Sequence, residues 1–500
     1  MIYDLETDKG FSKGKAHDVC IAGGGIAGIT LAIALAEQRV RVLLLEAGGI
    51  EYSADSQGVY EGESVGRAYF DLKDTRLRFL GGSSNHWIGR CRTLDAEDFE
   101  QRDFMAHSGW PISRDEVEPY LERASQILEI SSQYDDPDVS GSEGRLQIAD
   151  FKRSPPVRLG DKYLETLKSS EFIDLVVNAN LVDVRLSDGA DHVGEFICVN
   201  YSNSDMRHAF SAKHYVLAMG GIETPRMMLN FTHNAPNGLG NSNDLVGRFF
   251  MEHFHTQGGY FITDDDNWTN EIEKTILSVS GAYAKERQIG NAGIRMGGAP
   301  KNKESGFKDS VKDVLCESEI IEEFVKQFFD FQCPRDALRG GSIKVVSEQA
   351  PNRNSRVLLS DEVDQFGLRR SALDWQATAF DRKTIRQTMM IIGEHFVANN
   401  LGNVKVVDWL LEEDSAIPGV GEGEWQGAGF HHMGTTRMGH TAADGVVDQN
   451  CKVFGLDNLY IAGSSVFTTS GHANPTLMLT QLALRLADHL GQRATESSRA

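Results

Sequence analysis

Two short stretches near the C-terminal end hold the residues best suited to proton chemistry. They are Gly429-Phe430-His431-His432-Met433-Gly434 and Gly471-His472-Ala473-Asn474-Pro475-Thr476. A long apolar run follows Pro475, so histidines and an amide lie just ahead of a helix that starts at a proline. Such a helix end carries unpaired N–H groups and a partial positive charge. Asn and Pro begin helices well, as N-cap and N1. Imidazole titrates near neutral pH. The set suits a reaction in which a base takes a proton while negative charge builds up on a bound group. Neighbours in an extended segment point to opposite faces, so only one of His431 and His432 can face that group. His472, two residues before Asn474, can share its face.

The bound group is indicated at the other end of the chain. Val19-Cys20-Ile21-Ala22 reads as a buried strand and runs into Gly23-Gly24-Gly25-Ile26-Ala27-Gly28. A helical run follows from Ile29 to Glu37, then a second strand from Val40 to Leu45, ending at Glu46. Glu46 follows Gly28 by 18 residues, near the ~20 of the dinucleotide fingerprint. Gly23, Gly25 and Gly28 let backbone approach a pyrophosphate, which rests on the helix N-terminus at Ile26 and Ala27. Glu46 can accept hydrogen bonds from ribose hydroxyls and repels a 2′-phosphate. Strand, glycines, helix, strand and acid in that order make an accidental turn a poor alternative.

The fingerprint alone does not separate NAD from FAD. Leu459-Tyr460-Ile461-Ala462-Gly463-Ser464 is a short apolar strand ending in Ala-Gly. It resembles the second FAD-contacting strand of flavoproteins. Between the ends lies Arg76-Leu77-Arg78-Phe79-Leu80-Gly81-Gly82-Ser83-Ser84-Asn85-His86-Trp87. With Gly220 to Arg226, His431 to Gly439 and Asn474-Pro475-Thr476, this loop resembles the landmarks of the glucose–methanol–choline (GMC) oxidoreductases, in the family's order and over nearly the whole chain. The likeness is greatest to the sugar-oxidising branch of pyranose 2-oxidase and glycoside 3-oxidoreductases. Better-known members carry other residues at His86-Trp87, and Ser-Gly-Ile-Gly where this chain has Leu229-Asn230-Phe231-Thr232.

The resemblance implies an α/β chain (α+β overall), with a Rossmann-like FAD-binding domain and a substrate domain built on an antiparallel sheet. It implies FAD contacts from Arg78, Gly82, Ser83, Asn85, His86, Trp87, Val182, Gly463, Ser464, Asn474, Pro475 and Thr476, beside the fingerprint residues. It places the catalytic histidine three residues before Gly434, at His431, with Asn474 as its partner and His472 in reserve. The expected reaction is oxidation of a secondary hydroxyl of a sugar or glycoside, with hydride passing to flavin N5 and oxygen or another acceptor regenerating the enzyme. Alternatives are oxidation of another alcohol, a flavin-containing lyase on the same fold, and a flavoprotein subunit passing electrons to a membrane-bound partner. Non-covalent FAD is expected, with a covalent link through His86 as the alternative. Glu348, Gln349, Asn352 and Arg353 are candidate anchors for substrate hydroxyls; the bland reading is a solvated turn.

Composition fits an enzyme of two domains. Five hundred residues exceed a single core. Hydrophobic residues make up 40% and charged residues 24%, which is ordinary globular usage. A net charge of −22 argues against nucleic acid or an anionic membrane surface as partner. No apolar run suits membrane insertion and no signal-peptide core is visible. Six scattered cysteines lack metal spacing, so no metal is expected and a reducing cytoplasm is the simplest location.

The FAD domain is expected from residues 14–100, 165–255 and 428–490. Residues 101–164 and 256–427 supply the substrate domain and connections, and 491–500 look frayed. Ser113 and Glu116 form a capping box for a helix from Arg114 to Leu128. A helix is expected to start near Thr224-Pro225 and another to cover Asp381 to Ala398. Ser342–Ser347, Val357–Leu359 and Ala372–Trp375 read as strands of the substrate domain.

Overall fold

In the computed structural model, residues 1–7, 16–233, 235–263, 275–298 and 339–497 are described. The uninterrupted apolar runs at each end of the fingerprint become parallel strands buried on both faces, as such runs require. The six-stranded parallel sheet has the order Ile2–Asp4, Ile173–Val177, Val42–Leu45, His17–Ala22, Ala212–Leu217, Leu459–Ile461. Helix Ile26–Glu37 leaves the end of His17–Ala22, and its apolar residues from Ala27 to Leu35 are buried. It packs beside the terminal helix, Thr476–Ser497. This is the Rossmann-like layer expected from the sequence.

Two glycines there are obligatory. A Cβ on Gly28 would lie 1.9 Å from the Gly23 carbonyl oxygen. Gly23 has a φ of +114°, and its Cβ would lie 2.4 Å from the Ala218 carbonyl oxygen. The helix thus crosses its strand closely enough for its N-terminus to project over the sheet edge.

The second domain is an antiparallel sheet in the order Asn403–Val406, Phe254–Thr263, Arg339–Ser347, Ala292–Gly298, Leu277–Val279, Leu146–Ile148, with Gln426–Ala428 paired to the start of Phe254–Thr263. Helix Ala379–Ala398 covers one face behind a capping box of Thr378 and Asp381. Two expected strands lie elsewhere. Arg356–Val363 pairs with Arg369–Asp374, which pairs on its other side with Gly62–Ser64, in a separate small sheet. They join it because Gly62 permits close backbone approach to Ser371.

Other local readings shift. The capping box at Ser113 and Glu116 forms, but two 3-10 turns precede a shorter helix, Leu121–Leu128. Pro119 lacks the N–H that a continuous helix needs. The helix expected near Thr224 begins earlier, as Gly220–Asn230, because Gly220 turns the chain at a φ of +80°. The terminal helix continues past Leu490 to Ser497, through residues expected to fray. Cys20, Cys91, Cys198 and Cys451 are buried and free; Cys316 and Cys333 lie outside the described residues. Among those residues no helix is long and apolar enough to cross a membrane.

Candidate active site

A cavity of about 670 Å³ runs from the fingerprint to the face of the antiparallel sheet. Gly23, Gly25, Ile26, Ala27, Glu46, Arg78, Gly82, Ser83, His86, Trp87, Gly463, Ser464, Asn474, Pro475 and Thr476 line it, as does His431. A Cβ on Gly25, Gly220 or Gly463 would meet nothing within 4 Å, so the backbone there is bare towards the cavity. Glu46 is held in place by the Gly24 and Gly48 N–H groups at 2.7 and 2.8 Å. Burial pushes its pKa up. Arg76, also in the lining, leaves Nε and Nη1 without a partner among the described residues. Bare glycine backbone, an acid at the ribose position and free guanidinium donors fit a dinucleotide with a pyrophosphate.

Three expected cofactor residues do not line the cavity. Gly28 serves the helix–strand crossing described above. Asn85 donates from Nδ2 to the Leu80 carbonyl at 3.0 Å and so braces its own loop. Val182 packs with Ile197 and Val199. Its neighbour Leu181 reaches the cavity instead, since successive strand residues face opposite ways.

The two adjacent histidines diverge. Phe430 has a φ of +56°, a left-handed conformation that costs a bulky L-residue ~1–2 kcal/mol, and it turns the chain just before them. The Asn474 amide donates to His431 Nε2 at 3.0 Å. His431 Nδ1 lies 2.8 Å from His253 Nδ1, and His253 Nε2 lies 3.4 Å from the Ser470 carbonyl. That carbonyl can only accept, so His253 carries its proton on Nε2. Burial lowers the pKa of His253 to about 4, so the ring is neutral and its Nδ1 accepts. His431 therefore donates from Nδ1 and keeps a lone pair on Nε2. Burial first, and the neighbouring His253 second, lower the His431 pKa well below the usual range. It is a neutral base at pH 7.

Glu252 holds this arrangement from below. Fully buried, it accepts from the backbone N–H groups of Gly429 (3.2 Å), His431 (3.0 Å) and His253 (2.8 Å) and from the Tyr69 hydroxyl (2.7 Å). Burial raises its pKa to about 7 while these donors pull it down. The Tyr69 oxygen in turn lies 3.1 Å from His432 Nε2, whose pKa burial lowers to about 3. Among the described residues no group of three or more His, Cys, Asp or Glu is placed to hold an ion.

Other sequence-stretch candidates fall outside the cavity. His472 is buried against Phe151, with Nδ1 3.7 Å from Asp95; the chain bends at His472 and Ala473, so the extended geometry that would align His472 with Asn474 is broken. Asn474 itself lies before the cap, because the helix starts at Thr476, and its amide nitrogen goes to His431. Glu348 is fully buried in a bidentate pair with Arg102, at 2.6 and 2.9 Å. Gln349 is also buried and bonded to Trp375 Nε1 and the Glu252 N–H. Asn352 and Arg353 belong to a turn, with Arg353 exposed. Sequence reasoning passed over His253, Glu252 and Tyr69. The available signal was Glu252-His253 inside the apolar run Phe249 to Phe254, since buried charge needs a partner or a purpose.

Comparison with known proteins agrees with this geometry. The family model described as GMC oxidoreductase matches residues 351–483, and that described as FAD dependent oxidoreductase matches residues 18–147. The chain is 26% identical over 295 residues to the fructose dehydrogenase large subunit of Gluconobacter japonicus, covering 58% of this chain and 49% of that one. The match thus spans about half the length of that relative. It is 23% identical over 490 residues to 2-methyl-1,2-propanediol dehydrogenase of Mycolicibacterium austroafricanum, covering 83% and 81%. In fold it is similar to the crystal structure of pyridoxine 4-oxidase from Mesorbium loti, with a TM-score of 0.58, 18% identity and coverage of 95% and 99%. Residues 351–483 are thus similar to the GMC oxidoreductases and residues 18–147 to the FAD dependent oxidoreductases, in a chain whose fold is that of such flavoproteins.

Proposed function

We propose that this enzyme oxidises a secondary hydroxyl of a sugar or glycoside to a ketone. The observation that carries the reading is the neutral His431, with its Nε2 lone pair directed to the Asn474 amide at 3.0 Å and its other nitrogen fixed by His253. Bound FAD supplies the hydride acceptor for the carbon. The chain's own residues do the rest. His431 Nε2 takes the hydroxyl proton, and general-base catalysis of this kind contributes ~10²–10⁴-fold. The Asn474 amide donates to the oxygen as charge develops there. The helix N-terminus at Thr476 adds positive potential on the same side. Trp425, Phe430 and the antiparallel sheet line the cavity on the side of the reacting centre.

The sugar reading is supported by the His86-Trp87 loop together with the His431–Asn474 pair, and by a relative named fructose dehydrogenase. The relative named 2-methyl-1,2-propanediol dehydrogenase favours a second reading, oxidation of a small non-sugar alcohol. Anaerobic flavin bleaching separates them. Sugars or glycosides should bleach the flavin at least tenfold faster than simple alcohols, a gap of ~1.4 kcal/mol in barrier. A tenfold advantage for the simple alcohols establishes the second reading. Absence of bleaching with turnover of a cyanohydrin would establish a lyase.

A further inference from the structure

The wall of the cavity opposite the glycines is cationic. Arg90, from the short strand Arg90–Cys91, lines it with Arg295 and Lys344 from the antiparallel sheet. Arg295 and Lys344 are direct cross-strand partners. Arg90 in turn stands opposite Arg153. Like charges directly opposite each other destabilise a sheet, so stability alone gives no reason for them. None of the four has a carboxylate within salt-bridge distance among the described residues, in a chain with a net charge of −22.

The donors are also left open. Arg90 Nη1, Arg295 Nε and His255 Nε2 are buried with no hydrogen-bond partner among the described residues. Lys344 Nζ sits 3.9 Å over the Trp425 ring. Burial first, then the field of Arg90, lowers the Arg295 pKa to about 10, and the His255 pKa falls to about 3 for the same kinds of reason. Among the described residues the acids in the lining are Glu46 and Glu223, both from the FAD domain. A buried, unsatisfied guanidinium is costly unless an anion joins it. The wall lies near the base: the field of Arg295 is among the causes that depress His431.

We propose that the substrate carries an oxyanion, as a sugar carboxylate or sugar phosphate does, and that this group docks among Arg90, Arg295 and Lys344 while a ring hydroxyl reaches His431. The proposal rests on the sugar-oxidation reading above. Arginine forks match carboxylate and phosphate oxygens bidentately, and the lysine adds a point charge. The FAD pyrophosphate has its own place on the glycine loop at the opposite end.

The test uses the FAD-loaded enzyme at constant ionic strength. Anaerobic flavin reduction is followed for matched sets of hexosides: neutral, C6-carboxylate and 6-phosphate. At least one anionic form should half-saturate the enzyme at a concentration tenfold or more below that of its neutral counterpart. The carboxylate and phosphate arms identify which oxyanion is preferred. Arg295→Met and Lys344→Met should each cut the preference, and the double variant should abolish it. In parallel, inert sulfate is titrated against the flavin absorption spectrum. Wild type should show a saturable perturbation that the double variant lacks. Equal or better saturation by the neutral sugars overturns the proposal and leaves sugar oxidation standing. If no sugar of either kind bleaches the flavin but simple alcohols do, sugar oxidation has failed; the sulfate titration then decides the anion site alone, and the lack of a perturbation overturns it.

Discussion

Replacing His253 tests the proton arrangement more sharply than replacing the base. His253→Phe keeps a ring of similar volume edge-on to His431, where the centroids are now 4.9 Å apart, but it removes the acceptor of the 2.8 Å bond. His431 Nδ1–H is then buried without a partner. Leaving a buried donor unsatisfied costs ~1–3 kcal/mol. A neutral imidazole escapes that cost by moving its proton to Nε2, which occupies the lone pair that must take the substrate proton. Taking ~2 kcal/mol at 1.36 kcal/mol per decade, the competent tautomer falls by roughly 30-fold, and the rate of flavin reduction with it. His253→Asn should recover part of the loss, because its Oδ1 can stand near the lost Nδ1 and accept. The assay is anaerobic stopped-flow reduction at saturating substrate, with FAD content measured by absorbance. If His253→Phe reduces the flavin within threefold of wild type at equal FAD content, the tautomer reasoning is wrong.

Further outcomes follow from the same structure. His431→Ala should slow flavin reduction by ~10²-fold or more with FAD retained, and Asn474→Ala by roughly 10- to 100-fold, both read by stopped flow. Because His431 is depressed well below the ordinary histidine range, its own protonation should not slow flavin reduction between pH 8 and 6.5; any step in the rate near pH 7 should come from Glu252, raised to about 7, and disappear in Glu252→Gln. Stability should nevertheless drop on acidification, as seen in the urea midpoint. His214, His253, His255, His432 and His472 have folded pKa values of about 4, 4, 3, 3 and 4 against 6.5, so between those limits the unfolded chain binds more protons. Their contribution is complete above 6.5 and is lost as pH falls towards 4; Glu252 and Asp381, raised to about 7 and 6, oppose it in the same window but are fewer. Arg102→Met should cost ~3–5 kcal/mol in a denaturant titration, the effect of stranding a buried carboxylate, here that of Glu348, without touching the cavity. Acid precipitation should leave the flavin in the supernatant; colour that stays with the protein and vanishes in His86→Ala would show a covalent link.

What could be read in the chain was what is local. The glycines, Glu46 and the strands around them announce themselves because one βαβ unit contains all of them. The His431 and Asn474 positions came from motifs that need no knowledge of pairing. The second layer was invisible for the opposite reason. Glu252 and His253 reach the site only because Met251 and Met433 form an isolated antiparallel bridge, which no periodicity in either segment predicts. Glu348 misled in the reverse direction. Beside a polar turn it reads as a solvent-facing anchor, and its partner Arg102 is 246 residues away. The cationic wall shares this character, since Arg295 and Lys344 become neighbours only through strand register.

The order of strands in the parallel sheet also bears on how the protein is made. His17–Ala22 finds one neighbour early, in Val42–Leu45, but the other, Ala212–Leu217, comes much later, and its own outer neighbour Leu459–Ile461 later still. At roughly 5–20 residues per second of synthesis, tens of seconds pass between the first glycines leaving the ribosome and the strand and helix that close over them. Throughout that time the nucleotide-binding turn exists without its far wall, and apolar strand edges stand open. Cofactor capture is therefore a closing event of biogenesis, and a nascent chain stalled before residue 459 would be a client for chaperones rather than a partly active flavoprotein.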